Sequence, residues 1–190
     1  MEYGLPTALE VNGKSYKIRS DYRPCLDICT AYQDPNLTDA EKMQVCVEIL
    51  YEDVDSIPRE DMREAIQKAF EFINAGQDTD GPKKPKLVDW EQDFNYIVAP
   101  INRVAGTEIR SLKYLHWWTF VSYYMEIGGD CAFANIVAIR DKLAKGKKLD
   151  KSEQRLLREN PGMIHFKNKY SDEEKQLLKQ WSGGNAGKDS

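Results

Sequence analysis

The chain has 190 residues and a formal net charge of −4, with 41% hydrophobic and 31% charged residues. That length suits one substantial core with appendages, and the mild charge argues against a protein that coats nucleic acid. No run reaches the roughly 18 apolar residues of a membrane span, since Lys113 and Glu126 interrupt the best candidate.

The N-terminus lacks the basic, apolar and small-residue order of a secretion signal. The four cysteines, Cys25, Cys29, Cys46 and Cys131, are too few for a disulfide framework and read as reduced cytosolic thiols. The first element is a β-hairpin. Ala8 to Val11 and Lys14 to Ile18 flank Asn12-Gly13, the pair that best tolerates the positive φ angles of a type I′ turn. Leu9 and Val11, then Tyr16 and Ile18, alternate with polar residues and give one apolar face. Such a hairpin needs helices or another chain to cover that face.

From Asp21 onward the helical period takes over. Pro24 fits the first turn of a helix running to about Tyr32. Thr38 and Glu41 form a capping box for a helix with Met43, Cys46, Val47 and Leu50 on one stripe. A third helix starts near Ser56 and Pro58, with Met62, Ala65, Ile66, Ala69, Phe70 and Ile73 inward and Gly76 as its terminator. Residues 77–86 hold no apolar side chain and read as an exposed loop within one bundle. Asp89 caps a helix with the stripe Trp90, Phe94, Ile97, Val98, Ile101 and Val104, kinked at Pro100 and ended by Gly106.

The segment from Leu112 to Ile127 is the richest in aromatic residues, with Ser111 as its expected cap. It contains Leu115-His116-Trp117-Trp118-Thr119-Phe120, with Tyr114, Tyr123 and Tyr124 close by. At about 100° per residue these side chains point nearly all the way round, which makes it a central core helix rather than a ligand box. Trp118 is assigned to the core. Trp117, about 100° further round, is placed nearer a groove and is a candidate protein-contact residue. Gly128-Gly129 ends this helix. Phe133, Ile136, Val137 and Leu143 define the next, and two short helices open at Asp150 with Glu153 and at Ser171 with Glu174. The fold expected is mainly α: an N-terminal hairpin (5–19), then a multi-helix bundle in a single domain (1–181), with 182–190 a disordered tail.

Catalytic constellations are scarce. Only two histidines are present, His116 and His165, so a His-based triad or a His-rich metal centre has almost nothing to draw on. Cys25 and Cys29 share a helix face but have no second ligand pair, and read as packed thiols. His116 reads as a packed residue with a hydrogen-bonded ring. Asp89, Glu91 and Asp93 read as first-turn acids complementing a helix dipole. Gly128-Gly129 lacks the lysine and preceding strand of a phosphate loop. No enzyme, metal or cofactor is expected.

Charge is unevenly spread. From Arg140 to Tyr170 ten basic residues face four acids, while the rest of the chain carries the acidic excess. No stacking aromatics interleave with this run, as single-strand binders require, so nucleic acid is not the expected partner. Lys145, Lys147, Lys148 and Lys151 are expected to be exposed around a helix-to-helix turn, available to an acidic protein partner.

The order of motifs resembles the phage gene-product-fifteen family, found in tail modules of long-tailed phages and in prophages of Gram-positive bacteria. The hairpin Glu10-Val11-Asn12-Gly13-Lys14-Ser15-Tyr16-Lys17-Ile18 leads into Ser20-Asp21-Tyr22-Arg23. Then come Asp89-Trp90-Glu91-Gln92-Asp93, Leu115-His116-Trp117-Trp118-Thr119-Phe120, and Ile136 with Ile139-Arg140-Asp141-Lys142-Leu143. The resemblance implies a tail morphogenesis factor acting in the host cytoplasm. It implies a tail assembly chaperone, expected to be a homo-oligomer, that holds the tape-measure protein until tail tube forms. The alternative is a structural virion component such as a tail completion or joining protein.

Overall fold

A computed structural model describes residues 4–75 and 85–167. The hairpin pairs β1 (Ala8–Val11) with β2 (Lys14–Lys17) antiparallel, Leu9 opposite Tyr16 and Val11 opposite Lys14. Asn12 (φ 48°) and Gly13 (φ 73°) both take the left-handed backbone that a type I′ turn demands. The helices among the described residues are α1 (Tyr22–Tyr32), α2 (Asp39–Leu50), α3 (Met62–Ile73), α4 (Trp90–Ala105), α5 (Trp117–Met125), α6 (Ala132–Ala144), α7 (Lys151–Glu159) and α8 (Pro161–Ile164). The expected helix opened by Ser171, the Gly76 terminator, most of the 77–86 loop and the 182–190 tail lie outside the described residues.

The hairpin's apolar face is covered by helices. Val11, Tyr16 and Ile18 are buried in the main core, and β1 packs on α3. Past β2 the chain hydrogen-bonds to the end of α2: the Arg19 amide donates to Leu50 O at 2.7 Å, and the Glu52 amide to Lys17 O at 3.1 Å. The Arg19 guanidinium donates to the carbonyls of Ile49 (2.8 Å) and Tyr51 (2.5 Å). A cation thereby caps the carbonyls that a helix leaves unpaired at its C-terminus. The Thr38–Glu41 capping box that starts α2 is fully formed.

Two stripes are rotated from their sequence expectation. On α3, Phe72 is 1% exposed and belongs to the core, while Phe70 is 42% exposed. Ala65, Ala69, Phe72 and Ile73 keep helical spacing as well as the expected set does, and the partners of α3 select between them. On α4, Val104 lies outside and Asp93 inside. Pro100 sits within α4, which runs unbroken to Ala105 and ends at Gly106 with φ 68°.

The aromatic helix is shorter than expected. Ile109–Ser111 is a 3₁₀ turn, and Ser111 does not cap α5. His116 does, its side chain accepting from the Trp118 amide. The residues just before are held extended because Asp21 and His116 form an antiparallel bridge. The inward side of α5 carries Trp117 and Phe120, so the core position assigned to Trp118 belongs to Trp117, and Trp118 is half-buried. A smaller second core joins Ile136 and Ile139 of α6 to Ile164 of α8.

Trp117→Ala should therefore destabilise by about 3–5 kcal/mol, the range for truncating a buried aromatic, and by more than Trp118→Ala. Urea denaturation of both variants checks this; equal stabilities, or a larger loss at Trp118, would contradict the assignment.

Candidate functional site

Two of the sequence motifs meet in space. The Tyr22 amide donates to Leu115 O (2.9 Å) and the Trp117 amide to Ser20 O (2.8 Å). Asp21 caps α1 through the Arg23 amide and also accepts from the Leu115 amide at 2.9 Å. Arg23 reaches Leu112 O, and Ser20 Oγ lies 2.8 Å from the Tyr114 hydroxyl. Behind this seam Phe120 is stacked between Tyr22 (centroids 5.0 Å) and Trp117 (5.6 Å).

The paired tryptophans have a specific structural task. Trp117 Nε1 donates to Ile73 O at 2.8 Å and Trp118 Nε1 to Phe72 O at 2.9 Å. These carbonyls belong to the last turn of α3, where the helix leaves its carbonyls short of donors; Phe72 O also accepts from the Ala75 amide at 3.0 Å. The indoles satisfy them and bury their rings in the same step. His116 is equally committed: Nδ1 accepts from the Trp118 amide (3.1 Å), which leaves Nε2 to donate to Pro6 O at 2.9 Å. Both ring nitrogens are engaged in holding the N-terminal segment and α5, so neither is placed as a catalytic base.

The structure corrects the reading of Asp93 and Arg140. Asp93 does lie in the first turn of α4, but it serves as a buried counter-ion, and Arg140 of the basic run is buried with it; their side chains are 0% and 3% exposed. Arg140 Nη1 donates to Asp93 Oδ2 (2.6 Å) and Nη2 to Oδ1 (3.0 Å), a two-pronged pair. The remaining guanidinium hydrogens go to the carbonyls of Ile164 (2.7 Å), Leu87 (2.9 Å) and Met163 (2.9 Å). Phe166 covers the guanidinium face at 4.2 Å. One side chain on α6 thus fixes the approach to α4, α4 itself and the α8 segment. Gln92 reinforces this, donating to Gly162 O and His165 O and accepting from the Lys167 amide.

The expected contact residues are not brought together. Trp117 is 2% exposed in the main core and meets open space only as part of the wall of a cavity of about 280 Å³, with Cys29, Trp90 and Tyr124. Lys145, Lys147, Lys148 and Lys151 are exposed around the α6–α7 turn, which Gly146 makes with φ 64°. Lys145 pairs with Asp141 at 2.7 Å. Lys147, Lys148 and Lys151 form no ion pair among the described residues.

Open apolar grooves lie elsewhere. One of about 530 Å³ runs between α1 and α4, with Leu26, Trp90 and Phe94 on its floor and Arg23, Asp27 and Arg110 at its edges. A second, between α2 and α3, is lined by Met43, Ile66 and Phe70. Sequence periodicity assigned Met43, Ile66, Phe70, Trp90 and Phe94 to inward stripes; Ile66, Trp90 and Phe94 do pack against the core, while Met43 and Phe70 are exposed.

The thiols are packed. Burial pushes Cys25 well above the usual thiol range, Cys29 up to about 12 and Cys46 up to about 11. Among the described residues no group of three or more His, Cys, Asp or Glu is placed to hold a metal ion. No described helix is long and apolar enough to cross a membrane.

Two measurements follow. Asp93→Ala should cost about 3–5 kcal/mol in urea denaturation, because it strands a buried guanidinium. Arg140→Lys should not restore wild-type stability, lacking the planar fork; near-wild-type stability of either would contradict the clamp. Separately, Cys25 and Cys46, which are buried, should react with a thiol reagent at pH 8 only as fast as the protein unfolds, since buried, protonated thiols are poor nucleophiles. Rapid modification of the native protein at these positions would overturn that account.

A family model described as Bacteriophage Gp15 protein matches residues 1–171. No curated protein matches the chain, and no solved structure does.

Proposed function

We propose a role in phage tail morphogenesis for this protein, which belongs to the Bacteriophage Gp15 protein family. In this reading it is a tail assembly chaperone of the host cytoplasm, without catalytic activity. It keeps the long, helix-rich tape-measure protein soluble until tail tube encloses it. The observation that carries the reading is the family match across residues 1–171. The surface supports it: a mainly helical scaffold with open apolar grooves edged by charge suits helix-in-groove recognition, in which an amphipathic helix lays its apolar ridge between two others. The exposed Lys147, Lys148 and Lys151 offer a further protein contact, one that acts chiefly on encounter rate and orientation. A homo-oligomer would multiply these sites along an extended client.

Co-expression with the tape-measure protein of the same phage tests this. The tape-measure protein should become soluble and co-purify with this chain, and mass spectrometry of finished virions should not find the chain. No gain in solubility and no co-purification, with both proteins folded, would overturn the chaperone role. Fixed copies in the virion would favour the structural alternative.

A further inference from the structure

Met43 and Phe70 are 39% and 42% exposed, although helical spacing assigns both to inward stripes. They line the same open groove of about 420 Å³ between α2 and α3, together with Tyr32 and Ile66. Phe70 stands edge-on to Tyr32, with centroids 6.3 Å apart and planes at 63°, so its ring is positioned rather than loose. Exposed apolar side chains gathered in one concavity mark a contact surface more than the same residues scattered would. A methionine among them adds a side chain that adapts to different partners.

Two cations edge this groove, Lys42 from α2 and Arg63 from α3, with Asp39 the one acid lining it among the described residues. Neither Lys42 nor Arg63 forms an ion pair among the described residues. Lys68, on the same α3 helix, does pair, with Glu71 at 3.5 Å. The chain as a whole carries a net charge of −4, so this positive rim around an apolar floor is a local reversal of sign. An anionic polymer or membrane surface would meet the acidic remainder of the molecule. A helix with an apolar ridge and acidic residues beside it would meet only the floor and the rim.

We infer that the α2–α3 groove seats an amphipathic helix of a partner protein, its apolar ridge on Met43, Ile66 and Phe70 and its flanking carboxylates against Lys42 and Arg63. This rests on the tail-assembly reading and adds to it the docking surface and the chemistry of the client segment. It also separates the task of α3: its C-terminal carbonyls are held by Trp117 and Trp118, while its exposed face is free to bind.

The test uses the whole chain and two synthetic helical peptides with the same leucine ridge, one flanked by Glu and one by Lys. Fluorescence anisotropy should show the Glu-flanked peptide binding roughly three- to tenfold tighter, as expected for two exposed charge pairs. Lys42→Glu together with Arg63→Glu should reverse the preference. Phe70→Asp should weaken binding by about tenfold or more with an unchanged circular dichroism spectrum. The Met43 methyl resonance of the wild type should shift on binding, a readout that needs no variant. Equal binding of both peptides, a silent Met43 methyl, or a Phe70→Asp variant that binds like the parent would overturn the inference. So would loss of self-association in Phe70→Asp, which would give the groove to a second copy. Peptide failure alongside tape-measure co-purification removes the groove but not the chaperone role; failed co-purification removes that role whatever the peptides do.

Discussion

The rest of the structure depends on the antiparallel bridge between Asp21 and His116. It is a short piece of backbone pairing, yet every early element passes through it. Asp21 ends the segment leaving the hairpin and caps α1, and His116 ends the extended approach to α5 and caps that helix. Once the two are paired, the directions of α1 and α5 are set relative to each other. The Tyr22–Phe120–Trp117 stack then fills the space between them. From α5 the indoles of Trp117 and Trp118 reach the last turn of α3, against which β1 packs. The hairpin, α1, α3 and α5 are therefore one connected hydrogen-bonded and aromatic unit. Its polar groups are satisfied where burial would otherwise make them costly.

A second fastening serves the other half. Arg140 and Asp93 are taken out of water together, and all the guanidinium donors are used. A buried ion pair of this sort adds little net stability compared with apolar packing, but it is unforgiving of misplacement. Its value is in register. The guanidinium fork is satisfied only when α4, α6 and the α8 segment arrive at one relative position, which a smooth apolar contact would not enforce.

Much of this was legible in the sequence where the signal is local. The Asn12-Gly13 turn, the Thr38–Glu41 and Asp150–Glu153 boxes, the Asp89 cap and the Gly106 terminator each depend on residues within a few positions, and each is formed. The losses came where the deciding partner is distant in sequence. Nothing near Asp93 tells that its counter-ion is 47 positions away, and Arg140 looked like one more member of a basic run. On α3 and α5 the apolar residues support two phases of the helical period, and only the facing helix chooses. That is why Phe72 and Trp117 took the core places assigned to Phe70 and Trp118. The surface was the least legible of all: Met43 and Phe70 look like core until the fold leaves them outside. His116-Trp117-Trp118, the most eye-catching motif, does architectural work, and partner recognition is left to plainer residues.

Native-state hydrogen exchange of the Trp117 and Trp118 indole protons tests the seam most directly. If these groups hold the end of α3, both protons exchange only when the whole domain opens. Their protection would then fall with denaturant along the same slope as global unfolding. Exchange of either indole by a local route insensitive to denaturant, while the amides of α3 and α5 stay protected, would contradict the account.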